Sequence, residues 1–307
     1  AAERGLSVAV VEKGPFGGTC HNRGCIPSKM LIHCADVMET IRSAEQFGIT
    51  ASVEAVDWPF IIKRVFDEID QEAREIEEAN RKNPNITVYK EDGTFVGGKT
   101  LEVRGDQITG QTIVIAAGSR PRIPDIPGLI DVPYVTSDDA MRLPVQPESI
   151  VILGGGYIAA EMAHFFGGMG SEVTIVHRSS QMLREHDENV SVAFTRQYAD
   201  RFKLMLDTQV SAVRRNGDRV QLEVSKDGRT DTLAADVLLV AVGRVPNTDQ
   251  LRVGDTGVRV DERGYIETDE YLRTSAPGIW ALGDIVGRYL LKHSANLEAA
   301  YVAYNIF

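Results

Sequence analysis

The apolar residues of this chain fall into two rhythms. Short, nearly continuous apolar runs occur in "LSVAVV" (6–11), "SIVIL" (149–153), "EVTIV" (172–176), "VLLVAV" (237–242) and "GIWAL" (278–282). Such runs, rich in Val and Ile and too short for helices, predict strands buried on both faces, as in a parallel sheet. Longer stretches repeat their apolar residues at three- and four-residue spacing and predict helices over Met30–Phe47 and Trp58–Lys82. Asp57 is placed to cap the second helix, with Pro59 in its first turn, where a missing N–H costs little. Turn signals at Glu91–Gly93, Gly97–Gly98 and Arg104–Gly105 predict short strands leading into "QTIVIAAG". The Pro-rich stretch Pro121–Pro127 then breaks regular structure.

The order strand, Gly turn, helix, strand in "SIVILGGGYIAAEMAHFFGGMGSEVTIVHR" is that of a dinucleotide-binding unit. Gly154, Gly156 and Ala159 sit where such a unit needs a tight turn, a close backbone approach to pyrophosphate and close helix packing. An ordinary strand–helix turn is the plainer alternative. The next strand ends at His177-Arg178 with no acid to hold a ribose 2′-hydroxyl, whereas Arg178 and Arg184 offer cations to a 2′-phosphate. That favours NADPH, with NADH possible, unless the two arginines are simply solvated.

The N-terminal strand repeats the same logic and ends in an acid, Glu12, but its Gly-rich fingerprint would lie before residue 1. The expectation is an α/β chain with two Rossmann-like dinucleotide-binding domains, cut at both ends. Residues 1–148 would form the first, 149–270 the second, and 271–307 would return to the first.

A chain of 307 residues supports about two domains of ~150 residues. No apolar run approaches the ~18 residues of a membrane span, and no signal segment opens the chain, so a soluble, cytoplasmic protein is expected. The net charge of −11 and the lack of a Lys/Arg block argue against nucleic acid as a partner. Three cysteines do not make a secreted disulfide scaffold, and a close pair points to redox or metal chemistry.

That pair, Cys20 and Cys25, lies in "GGTCHNRGCIPSK" (17–29). A metal clasp from Cys20, His21, Cys25 and Cys34 fits poorly, because the spacing is not that of a zinc site, and no metal is expected. A redox reading fits better. Gly24 relaxes the chain between the cysteines, Pro27 suits the first turn of a helix, and a helix N-terminus favours a thiolate at Cys25.

The motif resembles the redox-active disulfide of the FAD-dependent pyridine nucleotide–disulfide oxidoreductases, the family of mycothione reductase, dihydrolipoamide dehydrogenase, glutathione reductase and mercuric reductase. "VIAAGSRPR", "GGGYIAAE", "AVGRVPNT", "GIWALGD" and "LKHSANLEA" follow in the family's order, so the likeness spans essentially the whole chain. Within it, the sequence is most similar to the mycothione reductase-like and dihydrolipoamide dehydrogenase-like members. His21 and Arg23 depart from positions that are more often apolar.

The resemblance implies a relay in which NADPH reduces the flavin, the flavin reduces a Cys20–Cys25 disulfide, and Cys20 attacks a small disulfide substrate. Lys29 and Glu161 would pair beside the flavin. Glu12, Gly18, Thr19, Lys29, Ala117, Gly118 and Asp284 would bind FAD. NADPH would take Gly154, Gly156, Ala159, Glu161, Arg178, Arg184 and Gly243. The acid–base His of the family belongs to a C-terminal dimerisation domain, expected after Phe307, so a homodimer is implied for the full-length protein. A flavin-binding protein without the relay is the alternative outside enzymes.

Overall fold

The computed structural model describes all 307 residues, and they form two compact units. Unit 1 comprises residues 1–22, 70–120 and 244–307, and unit 2 comprises 23–69 and 121–243. From the N-terminus the elements are β1 (Val8–Val11), α1 (Gly18–Arg23), α2 (Cys25–Ser43), α3 (Trp58–Lys82), β2 (Ile86–Tyr89), β3 (Gly93–Gly97), β4 (Thr100–Val103), β5 (Asp106–Thr109), β6 (Ile113–Ile115) and β7 (Ser119–Pro121). Then come α4 (Ser137–Ala140), β8 (Ser149–Leu153), α5 (Tyr157–Met169), β9 (Glu172–Val176), α6 (Glu188–Ala199), β10 (Lys203–Met205) and the three strands β11 (Gln209–Asn216), β12 (Arg219–Lys226) and β13 (Arg229–Ala235). The last elements are β14 (Val237–Val240), β15 (Arg244–Pro246), β16 (Ile279–Ala281) and α7 (Lys292–Ile306). No helix is long and apolar enough to cross a membrane.

Unit 2 is built on a four-stranded sheet in the order β10-β9-β8-β14, with every pairing parallel. All five residues of β8 are buried, which explains its unbroken apolar run. One face packs on α5 and on α2 and α3, through Phe165, Phe166, Trp58, Val65 and Leu31. Trp58 stacks on Phe165 at 5.3 Å, and its indole N–H donates to the Leu143 carbonyl at 2.8 Å. Its other face packs on the antiparallel meander β11-β12-β13 through Val213, Leu222 and Leu233.

Unit 1 pairs β1 with β2 and β6 with β16, both parallel, and adds the antiparallel meander β3-β4-β5. Phe95, Ile115, Ile266 and Ile279 form its core.

The helix at Trp58–Lys82 begins and ends where its periodicity predicts, and the Phe60 N–H donates to the Asp57 carboxylate at 3.0 Å. The expected helix at Met30–Phe47 instead begins five residues earlier, at Cys25, and its last turn tightens to a 3-10 turn over Ala44–Phe47. Pro27 permits the early start, since first-turn N–H groups have no intrahelical acceptor. The compact units also cut the chain elsewhere than the expected domains 1–148, 149–270 and 271–307. Residues 23–69 join unit 2 because α2 lies tight against α5: a Cβ on Gly168 would sit 2.6 Å from the Ala35 Cβ.

Candidate redox and nucleotide site

The turn after β8 carries the Gly-rich motif of unit 2. Gly154 has φ 128°, and a Cβ there would sit 2.2 Å from the Ala241 carbonyl oxygen. Gly155 is as tightly confined, by the ring of His177. Gly156 is the reverse: a Cβ would meet nothing within 4 Å, and the residue caps α5 with no side-chain hydrogen bond. The backbone at Gly156 is therefore open at a helix N-terminus, which suits the pyrophosphate of a dinucleotide. Ala159 is fully buried beneath the turn. Gly243, at φ 117°, also leaves open space on its side-chain face. These residues fit the group that the sequence implies for them.

The end of β9 is basic. His177 is followed by exposed Arg178, and the next loop returns to the Gly turn because the Leu183 N–H donates to the Gly155 carbonyl at 2.7 Å. The same loop carries Arg184, which lies 3.5 Å from Ser179 Oγ and 3.3 Å from Glu185. Burial, then the charges of Arg184 and Arg178, holds the His177 imidazole below its ordinary pKa near 6.5. A strand end that suppresses a cation is one prepared for an anion. Neither Gly155 nor His177 was among the expected nucleotide residues; the triplet Gly154-Gly155-Gly156 was the available signal.

Still in unit 2, exposed Cys25 is the first residue of α2. One turn further, Lys29 Nζ lies 2.6 Å from Glu161 Oε1 on α5. Lys29 also reaches Ser28 Oγ at 3.2 Å, and Ser28 Oγ donates to the Cys25 carbonyl at 3.3 Å. The thiol-bearing first turn of α2 is thereby tied, through Lys29, to the helix that begins at the Gly turn. Cys34 Sγ faces the Met30 carbonyl and Arg64.

In unit 1, Glu12 follows β1 and accepts the Gly14 N–H at 2.7 Å. Gly17 cannot carry a side chain, since a Cβ would lie 2.8 Å from His21, while Gly18 and Gly118 are open on that face, with φ of 68° and 67°. Thr19 is exposed and Cys20 half-buried on α1. The Asn22 amide secures the loop by donating to the carbonyls of Pro15, Phe16 and Gly18.

Three distant motifs meet at Asp284. Ser119 Oγ donates to Asp284 Oδ2 at 2.7 Å, and Arg244 donates to Ser119 Oγ and to the Ser119 carbonyl, both at 2.7 Å. Asn247 holds the preceding turn, donating from its side chain to the Ala117 carbonyl at 2.7 Å. Ser119, Arg244 and Asn247 went unread in "AAGSR" and "GRVPN", because what they do depends on a contact across ~125 residues. Open glycines beside a carboxylate held in place fit the hydroxyl-rich flavin nucleotide.

These features place the chain in a defined class: it belongs to the pyridine nucleotide-disulphide oxidoreductase family, which it matches over residues 1–305. Mycothione reductase from Mycobacterium tuberculosis is 44% identical over 304 residues, covering 97% of this chain and 65% of that protein. A dihydrolipoyl dehydrogenase from Chlamydia trachomatis is 36% identical over 315 residues, covering 100% of this chain and 66% of its own length. Among solved structures, the HOCl-induced flavoprotein disulfide reductase RclA from Escherichia coli superposes with a TM-score of 0.87 at 30% identity, covering 100% of this chain and 67% of that one. The chain thus spans about two-thirds of the length of these relatives.

Proposed function

We propose that this chain carries the electron relay of an NADPH-dependent, FAD-containing reductase of a low-molecular-weight disulfide, with a mycothione-type disulfide as the leading substrate. The observation that supports it best is Cys25 exposed at the start of α2, with Lys29 one turn on and paired to Glu161 at 2.6 Å. In net terms, NADPH, a proton and one disulfide become NADP⁺ and two thiols.

FAD, when bound, supplies the change from hydride to electron-pair chemistry. The chain's own residues do the rest. The Gly turn and Arg178/Arg184 hold the nucleotide, while Lys29 keeps a positive charge beside Cys25. The reduced Cys20 sulfur attacks the substrate disulfide, forming a mixed disulfide and releasing one thiolate. Cys25 then attacks the Cys20 sulfur, the Cys20–Cys25 disulfide forms again, and the second thiolate leaves. The full-length enzyme would work as a cytoplasmic homodimer.

A second reading, an NAD-linked dihydrolipoyl dehydrogenase, draws support from the 36% identical relative. Arg178 and Arg184 weigh against it. Anaerobic titration of the FAD-loaded protein with NADPH, and separately NADH, tests both. The relay predicts two new thiols and a long-wavelength thiolate–flavin band with NADPH first, both lost in Cys25→Ser. A flavin reduced without either signal would sink the relay, and a preference for NADH would move the assignment to the second reading.

A further inference from the structure

The loop between β9 and α6 carries Arg184, and the residue before it adopts a backbone shape that its side chain disfavours. Leu183 has φ 54°, in the left-handed region that glycine usually fills. Nothing in a leucine favours that shape, so its surroundings impose it. Three hydrogen bonds do so. The Leu183 N–H donates to the Gly155 carbonyl at 2.7 Å, and the Leu183 carbonyl accepts from the His186 N–H at 2.9 Å and from Ser191 Oγ at 2.8 Å. Ser191 lies on α6 and is almost fully buried. One residue earlier, the Met182 N–H donates to Thr195 Oγ1 at 2.9 Å, and that hydroxyl donates to the Ser191 carbonyl at 2.6 Å.

The same helix is tied back to the Gly turn. Tyr198 on α6 donates from its hydroxyl to the Ala160 carbonyl at 3.0 Å, and α5, which holds Ala160, begins at that turn. The loop is thus bound to the Gly turn at one end, through Leu183, and to α5 at the other, through α6. Arg184 follows Leu183 directly, and its side chain stays half-exposed. A long side chain on a loose loop would have to be ordered when a ligand binds, whereas a fixed backbone lowers that cost.

We propose that Ser191 and Leu183 are positioning residues for nucleotide specificity: the buried Ser191 hydroxyl holds Leu183 in its left-handed shape, and this keeps Arg184 beside the Gly turn, where the 2′-phosphate is read. The inference deepens the NADPH reading and rests on it. NADH offers Arg184 no phosphate, so it gains nothing from the arrangement. The Gly turn has its own support, since the Gly154 N–H donates to the Val176 carbonyl at 3.0 Å. Loss of the Ser191 hydroxyl should therefore weaken the phosphorylated nucleotide and spare the other.

The test is calorimetric titration of the FAD-loaded full chain with NADP⁺ and with NAD⁺, which do not reduce the flavin, in Ser191→Ala, in Arg184→Ala and in the double variant. Ser191→Ala should weaken NADP⁺ binding about tenfold, as expected for one lost hydrogen bond, and NAD⁺ binding by less than about twofold. In the Arg184→Ala background, Ser191→Ala should add nothing to the loss of NADP⁺ affinity, because the hydroxyl acts through that arginine. Unchanged NADP⁺ binding in Ser191→Ala, an equal loss of both nucleotides, or a loss that persists without Arg184 overturns the positioning role and leaves the NADPH preference standing. Equal affinity of the unsubstituted protein for the two nucleotides overturns the NADPH reading itself. Should Ser191→Ala not fold, Thr195→Val, which keeps the shape and removes the hydroxyl shared by Met182 and Ser191, enters the same cycle with the same outcomes.

Discussion

Two strands in this chain end at the same point of a nucleotide-binding architecture with opposite chemistry. In unit 1, β1 runs from Val8 to Val11 and delivers Glu12, whose carboxylate already accepts one backbone N–H at 2.7 Å. In unit 2, β9 runs from Glu172 to Val176 and delivers His177 and Arg178, with Arg184 folded back beside them. A carboxylate accepts hydrogen bonds from ribose hydroxyls and repels phosphate; a cluster of bases does the reverse. Under the proposed function, the same backbone position selects different nucleotides by the sign of the charge that the strand carries to its end.

The glycines of the two turns differ as sharply, and substituting them should produce the largest effects. Gly154→Ala places a Cβ on a carbonyl oxygen at 2.2 Å and at φ 128°, where no side chain sits comfortably. We expect it to cost about 3 kcal/mol or more and to abolish nucleotide binding. Gly118→Ala, at φ 67° with open space, should cost only about 1 kcal/mol. Urea unfolding of both variants measures the gap, and similar costs would show that the turn in unit 2 is less confined than its geometry indicates.

Next in size are the charges themselves. Arg178→Glu should weaken NADPH binding about 100-fold, from the loss of a charge-assisted contact and the gain of a repulsion, with NADH binding improved or unchanged. Glu12→Gln should weaken FAD binding about tenfold, as one charge-assisted acceptor becomes a neutral one. Fluorescence titrations of the two nucleotides read each effect. An equal loss of NADPH and NADH in the first variant would mean that Arg178 supports the fold of the loop and reads no phosphate.

How much of this was open to sequence reasoning depended on the range of the interactions. The Trp58–Lys82 helix was legible because its cap, Asp57, and its apolar period are local. So was the Gly154–Ala159 turn. The meander β11-β12-β13 went unread, although Asn216-Gly217 and Asp227-Gly228 mark its two hairpins and Val220, Leu222 and Val224 alternate on the buried face of β12. The assignment of residues 23–69 to unit 2 was out of reach, since it depends on Ala35 meeting Gly168, a contact without a local signature. In the site, the Lys29–Glu161 pair came from family resemblance alone. The Ser119–Arg244 support of Asp284 was hidden for the same reason as the Ala35 contact, while His177 was visible as a residue but not as a ring closing on Gly155.

The smallest expected effect bears on the basic strand end alone, through the pH dependence of stability. Burial and the two arginines hold His177 below its ordinary pKa near 6.5 in the folded protein. In the unfolded chain the imidazole regains a proton below about pH 6.5, whereas the folded form stays neutral to lower pH. Within that window the unfolded state binds more protons, so the contribution of His177 to stability falls as pH falls and is complete only above it. His177→Asn should therefore flatten the loss of stability between about pH 7 and pH 5.5, a modest change because the ring is partly exposed and its interactions are screened. Urea unfolding across that range provides the slope, and identical slopes for the two proteins would show that neither burial nor the arginines hold this imidazole below its ordinary pKa.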